Sequence, residues 1–322
     1  MAYPAENYQR ALNRLARRRE QSQNELHART QAVEKALPEI DEYRKKLGQI
    51  GVQIVKVILA SKNKKADISE LAEKSLALQE ERSALLVKNG FAPDALEQHY
   101  TCPICHDTGF VNGRLCKCHQ KLLKEIERDD IRRVAPIDKC NFDNFDIGCY
   151  PAEETQSGIS PREKMKRICE NCYRYAATFS LKSPSLLFMG ATGLGKTHIS
   201  LAIANVVINR GFHVVYGAAQ NILGDLEDLR FGRVQNPRYR QEALLDADLL
   251  IIDDLGTEFT TQYSVAALYN IVNSRLLAER PTIISTNCSL EMLERQYDQR
   301  ITSRILGLYK TLVFEGEDIR MQ

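Results

Sequence analysis

The sequence predicts an α/β fold: a five-stranded parallel sheet flanked by helices, preceded by an α-helical domain and a small cysteine-rich segment. Three observations carry this expectation. A glycine-rich stretch, GATGLGKT at residues 190–197, follows the apolar run Leu186, Leu187, Phe188 and Met189. A second apolar run, Leu249, Leu250, Ile251 and Ile252, ends in Asp253 and Asp254. Between and beyond them, strand-like and helix-like patterns alternate as a doubly covered sheet requires. The expected domain limits are 1–92 for the helical part, 93–125 for the cysteine segment, 126–160 for a linker and 161–322 for the α/β part.

In the first region, Leu26, Val33, Leu37, Ile40, Leu47, Ile50, Ile54 and Val57 recur at spacings of seven, four and three. That is the stripe of a packed helix or coiled coil, and Pro38, Gly48 and Gly51 are expected to bend or break it. A turn with Lys62, Lys64 and Lys65 leads to Asp67 as N-cap of a second helix carrying Leu71, Leu76, Leu78, Leu85 and Leu86, which stops near Asn89 and Gly90. Such an antiparallel pair suits self-association or the binding of a partner protein.

Cys102 and Cys105 form C-x-x-C, and Cys116 and Cys118 form C-x-C, with Gly109 and Gly113 in the turn between. Four thiolates from two short knuckles match the tetrahedral sulfur coordination of structural Zn²⁺, in a segment with too little apolar surface to fold unaided. His106 and His119 are close enough in sequence to replace one cysteine. Cys169 and Cys172 also form C-x-x-C, but they share a helical pattern with Ile168, Tyr173 and Tyr175 and read as core or surface thiols.

With 322 residues and 43% hydrophobic content the chain can bury a sizeable core, and a net charge of +2 argues against a histone-like electrostatic binder. No apolar run reaches bilayer length, and the basic start (Arg10, Arg14, Arg17, Arg18, Arg19) lacks the apolar segment of a signal peptide. The expected location is cytoplasmic, without a membrane partner, where nine cysteines serve as metal ligands or buried thiols rather than disulfides.

The α/β part begins with an aromatic segment containing Phe142 and Phe145 and a helix over 163–179. Then follow the glycine-loop strand, a helix after Lys196, a strand over 212–216, helical stretches over 219–231 and 238–245, and the aspartate strand. A helix over 262–278, a strand over 282–286, two short helices and a strand over 311–314 close the chain.

Residues 190–197 fit G-x-x-x-x-G-K-[ST] at every fixed position. In such a turn between strand and helix, backbone N–H groups cradle an oligophosphate. The expected nucleotide contacts are Gly190, Ala191, Thr192, Gly193, Leu194, Gly195, Lys196, Thr197 and His198. Lys196 would reach the β- and γ-phosphates, and the Thr197 hydroxyl would ligate Mg²⁺. Asp253, at the carboxyl end of a central strand, would hold the Mg²⁺ shell, and Asp254 would polarise the attacking water. Asp254 is one methylene shorter than the glutamate common at this position, so hydrolysis is expected to be slow. Asn287, ending a strand beside the phosphate-loop strand, is placed to bridge the γ-phosphate and the water. Arg304 is the candidate finger for a neighbouring subunit's site.

The phosphate loop, IIDDLG, STN and SRIL, in that order and spacing, resemble the AAA+ ATPases of the DnaC/DnaI-type bacterial helicase loaders, within the IstB-like ATP-binding superfamily, from residue 142 onward. YTCPICHDTG at 100–109 is similar to the zinc-binding part of the DnaI-like branch. The resemblance implies a P-loop AAA+ (ASCE) sheet, ATP and Mg²⁺ as ligands, and structural Zn²⁺. It further implies an amino-terminal part that grips the hexameric replicative helicase, and an ATPase part that binds single-stranded DNA and self-assembles through Arg304. It gives Lys196, Thr197, Asp253, Asp254, Asn287 and Arg304 the roles argued above. Phe142 and Phe145 match a linker that passes near the adenine, or pack the core. The end at Gln322 is expected to leave no room for a helical lid, with Arg320 an uncertain second sensor. Arg230, Arg233, Arg238 and Arg240 are candidates for DNA phosphates or a solvated charged face. Two other readings are an IstB-type transposition helper acting on duplex DNA and a nucleotide-gated assembly switch with incidental hydrolysis.

Overall fold

The computed structural model describes residues 3–60, 67–154, 158–233 and 239–319. Lys62, Lys64, Lys65, Arg238 and Arg320 therefore lie outside the described residues. The chain divides into two compact units, one of residues 12–119 and one of residues 1–11 with 120–322.

The first unit is built on α1 (Ala5–Ala36), which begins in the other unit, α2 (Ile40–Ala60) and α3 (Ser69–Lys88). The long apolar stripe is broken once, between Leu37 and Ile40, where Pro38 cannot continue the ladder. Gly48 and Gly51 stay helical inside α2, contrary to the expected bend, since a glycine costs a helix only about 1 kcal/mol. Val33, Leu37, Ile40, Leu86 and Ala95 are buried together and pin the three helices to each other. Asp67 stands one residue before the N-cap, Ile68, and still accepts from Ser69 N–H at 3.1 Å. A two-stranded hairpin, β1 (Phe110–Val111) and β2 (Arg114–Leu115), separates the cysteine knuckles, and Cys118 and His119 begin α4 (Lys117–Arg132).

The second unit holds a five-stranded parallel sheet of β3 (Leu186–Met189), β4 (Val214–Ala218), β5 (Leu249–Leu255), β6 (Thr282–Thr286) and β7 (Lys310–Val313). Their order is β4-β5-β6-β3-β7, all neighbours parallel. The alternation of side chains explains why these runs are apolar throughout. Leu186, Phe188, Val214, Leu249, Ile251 and Ile283 face α5 (Pro161–Ala177) and α6 (Lys196–Asn209). Leu187, Leu250, Ile252 and Ile284 face α7 (Ala219–Arg230), α9 (Gln262–Leu277) and α11 (Gln299–Leu308). Two short helices, α8 (Gln241–Asp246) and α10 (Leu290–Gln296), complete that layer.

Of residues 126–160, expected as a linker, the stretch 131–150 contributes to this core instead. Their first part continues α4, and Ile131, Ile137, Cys140, Phe145 and Tyr150 are buried in the same cluster as α5 and α6. The strand expected over 212–216 runs two residues later, and the helix expected over 238–245 is α8. The edge of β4 is covered by side chains: Val214 N–H donates to Glu127 Oε2 at 3.2 Å and Tyr239 Oη donates to Tyr216 O at 2.9 Å, which blunts an otherwise open strand.

Candidate functional site

The phosphate loop joins β3 to α6, and its backbone conformation requires its glycines. Gly193 and Gly195 take φ of +81° and +82°, and a Cβ on Gly195 would stand 2.7 Å from the Phe145 ring. Phe145 is buried, with its ring 5.3 Å from that of His198, while Phe142 packs edge-on against Tyr173. The aromatic segment thus braces the back of the loop. Lys196 is 5% exposed and folds onto the loop, donating to Gly190 O and Ala191 O at 2.8 Å each.

β5 brings Asp253 to the start of α6. Thr197 Oγ1 donates to Asp253 Oδ2 at 2.8 Å, so the two expected Mg²⁺ contacts adjoin. A hydroxyl and a carboxylate are the oxygen donors a hard cation takes. Two residues that sequence reasoning missed hold the carboxylate: Tyr216 Oη donates to Oδ2 at 2.7 Å and Ser285 Oγ donates to Oδ1. Burial, the Asp253 charge and this hydrogen bond all push the Tyr216 hydroxyl pKa upward, keeping it a donor. The available signal was a polar residue in each of two otherwise buried strands.

Asp254 is exposed and carries a φ of +53°, a left-handed conformation costly for a residue with a Cβ. Its N–H donates to Ser285 Oγ at 2.9 Å, which holds the turn. Asn287 follows the end of β6 directly and is exposed, and β6 pairs with β3, the neighbour that the sequence expectation required. Residues 318 and 319 also reach the loop: Ile319 N–H donates to Gly193 O at 3.3 Å, and a Cβ on Gly193 would meet the Asp318 carboxylate.

Arg304 lies on α11, away from this cluster of contacts. Its Nε donates to Asn273 Oδ1 at 2.9 Å, and its guanidinium stands 5.1 Å from the Tyr269 ring centre. Arg300 stacks on the same ring at 5.7 Å.

Residues 175–318 match the family model described as IstB-like ATP binding protein. This segment is an IstB-like ATP-binding domain. The replicative helicase loader DnaC of Escherichia coli K12 is 25% identical over 205 residues, covering 62% of this chain and 76% of that protein. YqaM of Bacillus subtilis 168, an uncharacterized protein, is 23% identical over 310 residues, covering 81% and 96%. Among solved structures, the DnaC helicase loader aligns with a TM-score of 0.46 and 19% identity, over 56% of this chain and 100% of that one. DnaI aligns with a TM-score of 0.45 and 22% identity, over 57% and 93%. The IstB-like domain takes in the phosphate loop, both aspartates, Asn287 and Arg304. The sheet order places the loop strand between β6 and β7.

In the helical unit, the Sγ atoms of Cys102, Cys105, Cys116 and Cys118 lie within 4.8 Å of one another. Cys102 and Cys116 are 3.8 Å apart and Cys105 and Cys118 3.3 Å, and all nine cysteines of the chain are free thiols. Four Zn–S bonds of about 2.3 Å in a tetrahedron need comparable S···S separations, so this group could hold zinc. Asp107 braces the first knuckle, accepting from Thr101 and Cys102 N–H at 2.8 and 3.1 Å. His106 and His119 are not in the four-residue group, and neither are Cys169 and Cys172. Among the described residues no helix is long and apolar enough to cross a membrane.

Proposed function

We propose that this protein is an ATP-dependent loader that binds a hexameric replicative helicase through its helical unit and delivers it onto single-stranded DNA. One observation carries the reading: an IstB-like domain, similar to a replicative helicase loader over 205 residues, shares the chain with a helical unit that exposes an apolar stripe. Val52, Val55, Ile58 and Leu59 on α2 are 50–74% exposed and recur at helical spacing, the kind of surface that a partner covers.

The loop residues 190–197 would hold the phosphates, with Lys196 exchanging its two loop carbonyls for phosphate oxygens. Thr197 and Asp253 would hold Mg²⁺, which when bound neutralises charge on the transferred phosphoryl group. Tyr216 and Ser285 keep Asp253 oriented for that task. Asp254, outward on its strained turn, accepts the proton of the attacking water, and Asn287 orients that water. Arg304 leaves Tyr269 and Asn273 to complete a neighbouring subunit's site, so turnover depends on assembly. Cys102, Cys105, Cys116 and Cys118 would hold structural Zn²⁺, which when bound would stiffen the front end.

Single-stranded DNA contact is supported by aromatic and arginine side chains at the end of α7. Phe231 is 58% exposed and faces Tyr263 at 6.2 Å, with Arg233 over Phe231 and Arg230 over Tyr263. Exposed rings beside guanidinium groups stack bases and neutralise phosphates. Replacing Phe231 and Tyr263 by alanine should weaken oligonucleotide binding by about 1–3 kcal/mol per lost stack.

Retention of the host helicase on the full chain tests the proposal. The expected result is ATP-sensitive capture that Val55→Glu with Leu59→Glu weakens tenfold or more; no capture of any replicative helicase of the host would overturn it. The family-model match also favours a second reading, an IstB-type helper that acts with a transposase on duplex DNA. A preference for duplex over single-stranded DNA in the same preparation would select it.

A further inference from the structure

The loop leaving β5 is clamped at three successive backbone groups. Leu255 O accepts from Thr286 Oγ1 at 2.6 Å, Gly256 N–H donates to Glu258 Oε2 at 2.9 Å, and Gly256 O accepts from Gln296 Nε2 at 3.2 Å. The other carboxylate oxygen of Glu258 accepts from the Tyr297 hydroxyl. Gly256 itself has φ of +102°, and a Cβ there would lie 2.4 Å from Cys288 Sγ, so the loop is packed closely and any displacement of it carries its partners along.

The placement of these partners matters more than their number. Asp253 and Asp254 immediately precede the clamped peptide, whereas Gln296 ends α10 and Tyr297 leads into α11, the helix of Arg300 and Arg304. Glu258 and Tyr297 are 7% and 4% exposed. A carboxylate that deeply buried is tolerated only while its oxygens are bonded, so Gly256 and Tyr297 must move together or strand a charge. Burial and the bond to Glu258 both raise the Tyr297 pKa, which keeps the hydroxyl protonated and donating.

We propose that Glu258 and Tyr297 are positioning residues that tie the metal-holding strand end to the arginine helix, so that the nucleotide state of one subunit sets how it offers Arg304 to the next. The inference rests on the proposed ATPase reading and adds the route of coupling. Both arginines lie on Tyr269, with Arg304 also bonded to Asn273. A shift of the β5 loop on ATP binding pulls Gln296 and Tyr297, turns α11 at its amino end, and lifts Arg304 from that rest position. Such coupling is a property of two states, and it is measured by separating effects in the same subunit from effects on its neighbour.

The test uses the full chain with Tyr297→Phe, which removes one oxygen, and Glu258→Gln, which keeps the side-chain shape while removing its charge. ATP affinity is measured by equilibrium binding, kcat and KM as functions of protein concentration, and folding by melting temperature. Each variant is also made in an Asp254→Asn background, which binds ATP without turning it over, and mixed with wild-type protomers. The expected result is ATP affinity and KM within threefold of wild type with kcat down tenfold or more. Asp254→Asn protomers, which keep Lys196 and Asp253 to bind ATP but lack the carboxylate that activates water, should raise wild-type turnover, and Asp254→Asn protomers carrying Tyr297→Phe should not. Equal stimulation by both, or a loss of kcat that merely tracks lost ATP affinity, would overturn the link. If Tyr297→Phe fails to fold, the same mixing with Glu258→Gln decides it. Wild-type protein with no ATP turnover at any concentration would overturn the ATPase reading and this link with it; turnover that never rises with concentration, or normal wild-type behaviour with unaffected variants, would overturn the link alone.

Discussion

In the α/β unit, Leu187, Leu250, Ile251, Ile252, Ile283 and Ile284 are each at or below 1% exposure, and the polar residues of the site stand on the rim of that dry sheet. In the cysteine segment of the helical unit, the buried hydrophobic cluster described is Cys102, Cys105 and Cys116, with Val111 and Cys118 packed beside them. The first region is held by burial, at about 1.5–3 kcal/mol for each large apolar side chain. The second places thiols where a core would have hydrocarbon, so its order depends on what those thiols bind. A phosphate-loop site needs a scaffold that stays fixed while ligands come and go, and a cysteine-rich segment can rely on a staple.

The sharpest way to break this comparison is to remove the staple. Chelation, or Cys116→Ser with Cys118→Ser, should release about one Zn²⁺ per chain and disorder residues 100–119, since structural zinc is worth about 10–16 kcal/mol in small metal-folded domains. ATP affinity of the α/β unit should stay unchanged, and parallel metal analysis and nucleotide titration check both halves. Lys196→Ala should do the reverse, weakening ATP binding about 100-fold, or about 2.7 kcal/mol, with zinc content intact.

A third change probes how the α/β unit supports its own buried polar groups. Arg275 is 1% exposed and donates to Leu244 O, Leu245 O, Ala247 O, Pro281 O and Thr282 Oγ1. Burial pulls its pKa down to about 10, still well above neutral, so it remains a cation at physiological pH. Arg275→Met should cost about 3 kcal/mol by leaving those acceptors unpaired, read as a lower melting temperature with the zinc segment unaffected. The smallest expected effect is that of Tyr216→Phe. It deletes one hydrogen bond to Asp253, costs about 1 kcal/mol, and should appear as a few-fold weaker Mg²⁺ dependence of ATP binding.

These residues also mark where the sequence was legible. Residues 190–197 and Asp253 with Asp254 could be read directly because each motif is contiguous and flanked by runs of the right period. The cysteine spacing was legible for the same reason. Tyr216, Ser285, Glu258, Tyr297 and Arg275 were not, because their partners lie 32, 37 or 39 residues away, or are backbone carbonyls that carry no sequence signal. Residues 126–160 looked like a linker because their apolar positions, such as Ile137, Cys140, Phe145 and Tyr150, follow neither helical nor strand period. They pack irregularly against α5 and α6, and such packing has no periodic signature. Gly48 and Gly51 were over-read as breaks, because a helix held by neighbours absorbs a cost that an isolated one does not.

The central claim is that ATP in the α/β unit governs delivery of a helicase held by the helical unit. Transfer of the host's hexameric helicase onto circular single-stranded DNA, followed by native gel with the full chain, tests it most directly. The account predicts transfer that requires ATP, is lost with Lys196→Ala, and is lost again with Val55→Glu and Leu59→Glu although ATP affinity is normal. Transfer by Lys196→Ala at the wild-type level, or helicase loading unaffected by the α2 substitutions, would contradict it.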